Sequence, residues 1–227
     1  KKPTYTQVAH ATEVIKTLPD TFIPLSKETK KKSFISPHRV NAMKYLLKRG
    51  ITEIDILRYN IGYSDEGEYS GRVIIPSYDF RGNLNFFSSR SFYDSVKMKY
   101  KNPSWSKDII GFELLINWNE PISLTEGVFD ALAIKRNVIP LFGKTMSFSL
   151  KEAIIRNGVD RVNIILDADA QNDAMNIQNF LISHEVDAHF IKLTDEDPSL
   201  MGFNRINNLI ETSNASDFKS MLEMKLK

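Results

Sequence analysis

Ile122-Ser123-Leu124-Thr125-Glu126-Gly127-Val128-Phe129-Asp130-Ala131 holds a change of structural rhythm in ten residues. A short apolar run ends at an acid and a glycine, after which the apolar residues recur at helical spacing. The same alternation continues downstream. Apolar runs at Val138 to Phe142, Val162 to Leu166 and Ala188 to Leu193 alternate with helix-length amphipathic segments at Phe129 to Arg136, Ser149 to Asn157 and Ala174 to Ser183. Short buried strands separated by helices predict an α/β parallel sheet with flanking crossover helices over residues 121–195, followed by C-terminal helices over 196–227.

In such sheets functional side chains collect at the carboxyl ends of the strands. Glu126 ends the first run, and Gly127 permits a tight turn or the close approach of a ligand. Asp167 ends Val162-Asn163-Ile164-Ile165-Leu166, and Asp169 lies two residues on, facing the same way if the chain stays extended. One acid after a strand is often a helix N-cap. Several converging acids repel one another unless a cation compensates them, and Mg²⁺, which takes oxygen ligands and bridges carboxylates to phosphates, suits the set. An Asp-x-Asp at a strand end is also compatible with folds that use one Asp as a phosphoryl nucleophile. Gly143-Lys144-Thr145 echoes the tail of a phosphate-binding P-loop, but the first glycine of that motif would fall at Val138, so the P-loop is rejected. His10, His38, His184 and His189 have no metal-ligand spacing, and no nucleophile elbow is present.

Upstream, Ser26 to Lys32 is polar and charged and reads as a linker within a 1–35 extension. Ser36-Pro37 caps a helix that carries Ala42, Met43, Leu46 and Leu47 and stops at Gly50. A second short helix follows Thr52, with Ile54, Ile56 and Leu57 expected on its buried face. Arg72 to Pro76, a turn at Asp79-Phe80-Arg81-Gly82, and Leu84 to Arg90 read as an antiparallel hairpin. Residues 36–120 therefore form a mixed α+β subdomain ahead of the parallel sheet.

Composition sets the outer bounds. A chain of 227 residues with 42% apolar and 26% charged residues can bury a substantial core. The absence of cysteine excludes disulfides and thiolate zinc sites in this chain, and suits a reducing, cytoplasmic setting. Nothing is apolar enough for a membrane span, and the first residues lead into no signal core. Charge is unevenly spread: residues 1–120 carry 19 Lys/Arg against 13 Asp/Glu, and residues 121–227 carry 11 against 15. A basic half joined to an acidic half fits a protein that grips an anionic polymer beside a metal centre.

Glu126-Gly127-Val128-Phe129-Asp130-Ala131 together with Ile165-Leu166-Asp167-Ala168-Asp169 resembles the two signatures of the Toprim domain. The upstream pieces extend the likeness. Ala42 to Ile51 and Ile61-Gly62-Tyr63 resemble the helical opening of a DnaG-type primase catalytic core. Gly71 to Pro76, Asp79 to Gly82 and Ser89 to Phe92 resemble its strand pair. Lys99 to Pro103 with Lys107 resembles its basic stretch, and Leu193 to Pro198 its final acidic segment. The resemblance spans residues 36 to 210 and implies Mg²⁺-dependent (or Mn²⁺-dependent) synthesis of short RNA primers on single-stranded DNA from ribonucleoside triphosphates, in partnership with a replicative helicase.

Position by position, the resemblance implies a catalytic acidic centre of Glu126, Asp130, Asp167 and Asp169, with Asp195 or Asp197 as a further metal contact. It implies a basic groove lined by Arg72, Arg90, Lys99, Asn102 and Lys107. Ala168 between the paired aspartates and Asp108 after Lys107 depart from the family's glycines, which points to a divergent, phage-encoded member. The family's zinc-binding module is absent from this chain. A Toprim-type nuclease and a non-catalytic DNA-binding replication module remain open alternatives.

Overall fold

The computed structural model describes residues 15–27, 36–191, 193 and 198–213. Two four-stranded sheets organise them. The first is an antiparallel meander of β1 (Phe22–Pro24), β2 (Gly62–Ser64), β3 (Arg72–Tyr78) and β4 (Leu84–Ser91), in that order. β3 and β4 form the expected hairpin, with Val73 opposite Arg90 and Ile75 opposite Ser88. The Asp79 carboxylate closes its turn by accepting from the backbone N–H groups of Arg81 and Asn83. β1 and β2 escape periodicity analysis because three residues cannot display an alternation. Ile61-Gly62-Tyr63, read as part of a helical opening, instead enters β2. Gly62 is required there, since a Cβ would collide with the Phe22 ring and approach the Ile23 carbonyl to 2.6 Å.

Two helices precede the hairpin. α1 (Pro37–Lys48) begins where Ser36 accepts from His38 N–H, as its sequence predicts. α2 (Glu53–Arg58) is held by a capping box between Thr52 and Asp55. Its expected buried face is corrected: Ile56 is buried, but Ile54 and Leu57 are 77% and 67% exposed. The reason is electrostatic. Asp55 turns inward to meet Lys135 Nζ at 2.6 Å, so this six-residue helix presents an acid and one isoleucine to the interior.

The second sheet is parallel throughout, in the order β6 (Val138–Pro140), β5 (Ile122–Thr125), β7 (Arg161–Ile165), β8 (Asp187–Phe190). α4 (Phe148–Arg156) and α5 (Gln171–Ser183) cover one face through Leu150, Ile154, Ala174, Ile177 and Leu181. α3 (Val128–Ile134) packs on the other side with α6 (Pro198–Glu211), whose helical path breaks at Gly202, φ 74°. α3 buries six of its seven residues, as a helix enclosed by protein must.

One apolar cluster joins the two sheets. It contains Leu46, Ile56, Val73, Ile75 and Phe86 from the first half with Phe129, Leu132, Phe142 and Ile165 from the second. The architecture is therefore α/β, with a parallel sheet, an antiparallel sheet and flanking helices. No helix among the described residues is long and apolar enough to cross a membrane.

Candidate metal centre and its cleft

β5 and β7 are hydrogen-bonded neighbours running in the same direction, so their carboxyl ends deliver Glu126 and Asp167 to one edge of the sheet. The chain does not stay extended beyond β7. Residues Ala168–Ala170 form a single 3₁₀ turn, and that turn brings Asp169 back towards the other two acids. One carboxylate oxygen from each of Glu126, Asp167 and Asp169 lies within 4.8 Å of the others. Asp167 precedes the turn but makes no side-chain capping bond, so the N-cap reading does not account for it.

The electrostatics follow from this crowding. Burial, reinforced by the neighbouring Asp167 and Asp169 charges, pushes the Glu126 carboxyl above its ordinary range. Glu126 Oε2 is buried without a hydrogen-bond partner, a costly condition for an ionised oxygen. Asp169 moves the other way: Lys144 Nζ lies 2.8 Å from its Oδ2 and holds that carboxyl below the usual range. A buried oxygen lacking a partner, set among two further hard oxygen donors, fits a divalent cation such as Mg²⁺ or Mn²⁺.

Asp130 is placed by α3 and by an absence. A Cβ on Gly127 would lie 2.9 Å from Asp130 Oδ2, so glycine lets this carboxylate fold back over the turn. Its Oδ1 accepts from the Ser199 N–H at the start of α6. Asp195 and Asp197 lie outside the described residues.

A cleft of about 430 Å³ opens from the acids towards the antiparallel sheet, lined among others by Glu126, Asp130 and Asp167 on one wall and by Arg90, Tyr100 and Asn102 on the other. Arg90 donates to Tyr100 Oη at 2.6 Å and covers the Phe129 ring at 5.2 Å. Asn102 Oδ1 accepts from the Ser89 N–H, which fixes its amide against β4. The remaining basic residues are engaged differently. Arg72 is buried, with its guanidinium on the carbonyls of Met98 and Lys99. Lys99 donates to the Asp94 carbonyl. Lys107 donates to the Phe142 carbonyl at 2.6 Å. Arg72, Lys99 and Lys107 thus hold loops, whereas Arg90 and Asn102 line the cleft itself. Asp108, the departure beside Lys107, accepts from Ser149 N–H in the first turn of α4.

Two contributors were not singled out from sequence. Arg49, like Arg90, stacks over Phe129, at 5.0 Å, and with Lys44 and Lys48 lines a second cavity of about 570 Å³. That cavity shares Ser199 with the first. Its signal was the basic tail of α1, which reads equally well as a solvated helix end. Lys144 belongs in sequence to the rejected P-loop echo, and its position after a third strand of the alternating series is the signal that points to it. Phe86 and Phe87, 0% and 2% exposed, are core residues.

No family model matches the chain. The Uncharacterized protein MG010 of Mycoplasma genitalium is 30% identical over 152 residues, which cover 62% of this chain and 68% of that protein. A DNA primase of Clostridium acetobutylicum is 24% identical, over 69% of this chain but only 34% of its own length. The chain thus spans about a third of that primase. Among solved structures, a DnaG primase catalytic domain bound to single-stranded DNA superposes with a TM-score of 0.68 at 18% identity, covering 81% of this chain and 77% of the other. The acids at the strand ends and the arginine facing them sit in a shared architecture: the chain belongs to the family of MG010 and has the fold of DnaG primase catalytic cores.

Proposed function

We propose that this protein is the catalytic core of a primase, joining ribonucleoside triphosphates into short RNA on a single-stranded DNA template with Mg²⁺ or Mn²⁺. The observation that carries the reading is the cleft in which Glu126, Asp130 and Asp167 face Arg90 and Asn102. Carboxylates alone fit any metal-dependent reaction at phosphate. A guanidinium and an amide opposite them, Arg90 and Asn102, fit a site that also holds a polyanion.

Glu126, Asp167 and Asp169, the Toprim-type acids, are the residues to hold the metal, with Asp130 bracing the turn that carries Glu126. When bound, a divalent ion supplies charge neutralisation at the triphosphate and activation of the attacking 3′-hydroxyl. Glu126, in its ionised form at the end of β5, is also a candidate to accept the hydroxyl proton. Arg90 and Asn102 would position phosphates in the cleft, and Lys44, Lys48 and Arg49 would continue that cationic surface along α1. Such contacts hold the strand without reading bases. The reading implies a replicative helicase as partner.

Incubation with a single-stranded template, labelled ribonucleotides and Mg²⁺ tests it. Short RNA products that vanish with Asp167→Asn support primer synthesis. Template cleavage instead would assign a Toprim-type nuclease, and binding without either product a non-catalytic replication module.

A further inference from the structure

The loop after β6 brings a cation to the acidic centre, and primer synthesis as described above gives it no task. β6, β5 and β7 are adjacent and parallel. Beyond their carboxyl ends stand Lys144, Glu126 and the Asp167/Asp169 pair respectively. Lys144 Nζ donates to Asp169 Oδ2 at 2.8 Å, with the two side chains 36% and 76% exposed. An exposed ion pair of this kind adds little to stability, so the fold alone does not explain it.

The loop is anchored on both sides of the lysine. Ahead of it the Phe142 carbonyl accepts from Lys107, and behind it Ser147 Oγ donates to the Ile109 carbonyl at 2.9 Å. Between the anchors Gly143 lies in open space, where an added Cβ would meet nothing within 4 Å, and it lines the same cleft as Glu126. Lys144 therefore sits on an anchored loop, and its part-exposed, unbranched side chain can change partner.

We propose that Lys144 is a phosphate-binding residue of this centre, parked on Asp169 until metal and nucleotide arrive. A divalent ion taken up by Asp169 competes with the ammonium for the same carboxylate and repels it. The released ammonium then meets the phosphates of a metal-bound ribonucleoside triphosphate, for which a lysine is a suitable point charge. The inference rests on the reading of Glu126, Asp167 and Asp169 as a metal centre.

Mn²⁺ titrations followed by electron paramagnetic resonance of the unbound ion test it, using wild type, Lys144→Met and Lys144→Arg with and without a non-hydrolysable ribonucleoside triphosphate analogue. The methionine variant is expected to bind Mn²⁺ alone about tenfold more tightly and the Mn²⁺–analogue complex about tenfold more weakly than wild type, since it lacks both the competitor and the phosphate contact. The arginine variant, which keeps the charge, should retain analogue binding. Equal Mn²⁺ affinities, equal analogue affinities, or an arginine variant as weak as the methionine one would overturn the role of Lys144 and leave the metal centre standing. Failure of wild type to bind Mn²⁺ at all would overturn both.

Discussion

At the scale of single residues, Glu126 carries a conflict between stability and function. Its buried, unpartnered Oε2 and its acidic neighbours favour the protonated form. A carboxyl raised in the folded state contributes stability that is full below its unfolded pKa and is lost as pH rises through the folded value. At neutral pH, without metal, Glu126 therefore weakens the fold. Glu126→Gln should raise the metal-free Tm by roughly 2 °C and, on the proposed metal centre, abolish the further rise expected of wild type with Mg²⁺, both read by calorimetry. Gly127→Ala tests the neighbouring turn. The backbone there, φ −112°, is open to any residue, so the effect comes from the 2.9 Å encounter with Asp130 alone. Displacement of Asp130 and loss of its bond to Ser199 should cost about 1 kcal/mol in denaturant melts and reduce any Mg²⁺-dependent product.

The acids were legible in the sequence because a strand end is a local event: an apolar run, then an acid, then a break. Whether a basic residue faces a cleft or its own loop depends on partners far along the chain. Arg72 reaches carbonyls 26 and 27 residues away, and Lys107 one 35 residues away. No local pattern separates them from Arg90.

At the scale of elements, α2 and α3 are joined by charge. Asp55, on α2, and Lys135, which ends α3 at φ 61°, meet at 2.6 Å with side chains only 9% and 18% exposed. Burial works to raise Asp55, but the hydrogen bonds from Lys135 and Thr52 together outweigh it and hold the carboxyl below its usual range. Stability from a depressed carboxyl is present above its unfolded pKa and lost as pH falls towards the folded one. Acid titration of the fold below about pH 4 should thus be shallower in Asp55→Asn than in wild type. Lys135→Met, which strands Asp55, should cost about 3 kcal/mol in chemical denaturation. From sequence α2 looked like an apolar anchor, because Ile54, Ile56 and Leu57 outnumber its one inward acid. Its partner lies 80 residues away.

At the scale of the whole molecule, the basic and acidic halves share a core. Phe86 of β4 meets Phe142, in the loop that leads to Lys144, with ring centroids 4.6 Å apart, and both belong to the cluster that spans the two sheets. Phe86→Ala should cost about 3–5 kcal/mol and lower the stability of both halves in one transition, observable as coincident near- and far-ultraviolet circular dichroism melts. The cleft between the halves sets three acids against one arginine, Arg90. If single-stranded DNA lies along the wall that carries Arg90, its affinity should fall linearly with log salt, and Arg90→Ala should reduce that slope by about one phosphate contact. The alternation of strand and helix made the parallel sheet readable, but the antiparallel sheet depends on Phe22 pairing with Ser64 across two intervening helices, a pairing that no local pattern announces.

The pairing of β5 with β7 has a wider consequence. Parallel neighbours in any sheet run about 4.8 Å apart, and the three carboxylate oxygens gathered beyond these strands fall within 4.8 Å of one another. The sheet sets how near the backbones of Glu126 and Asp167 stand, and the single 3₁₀ turn after β7 returns Asp169 to them. Helices, loops and surface can diverge until little identity is left while the gauge of the site stays constant.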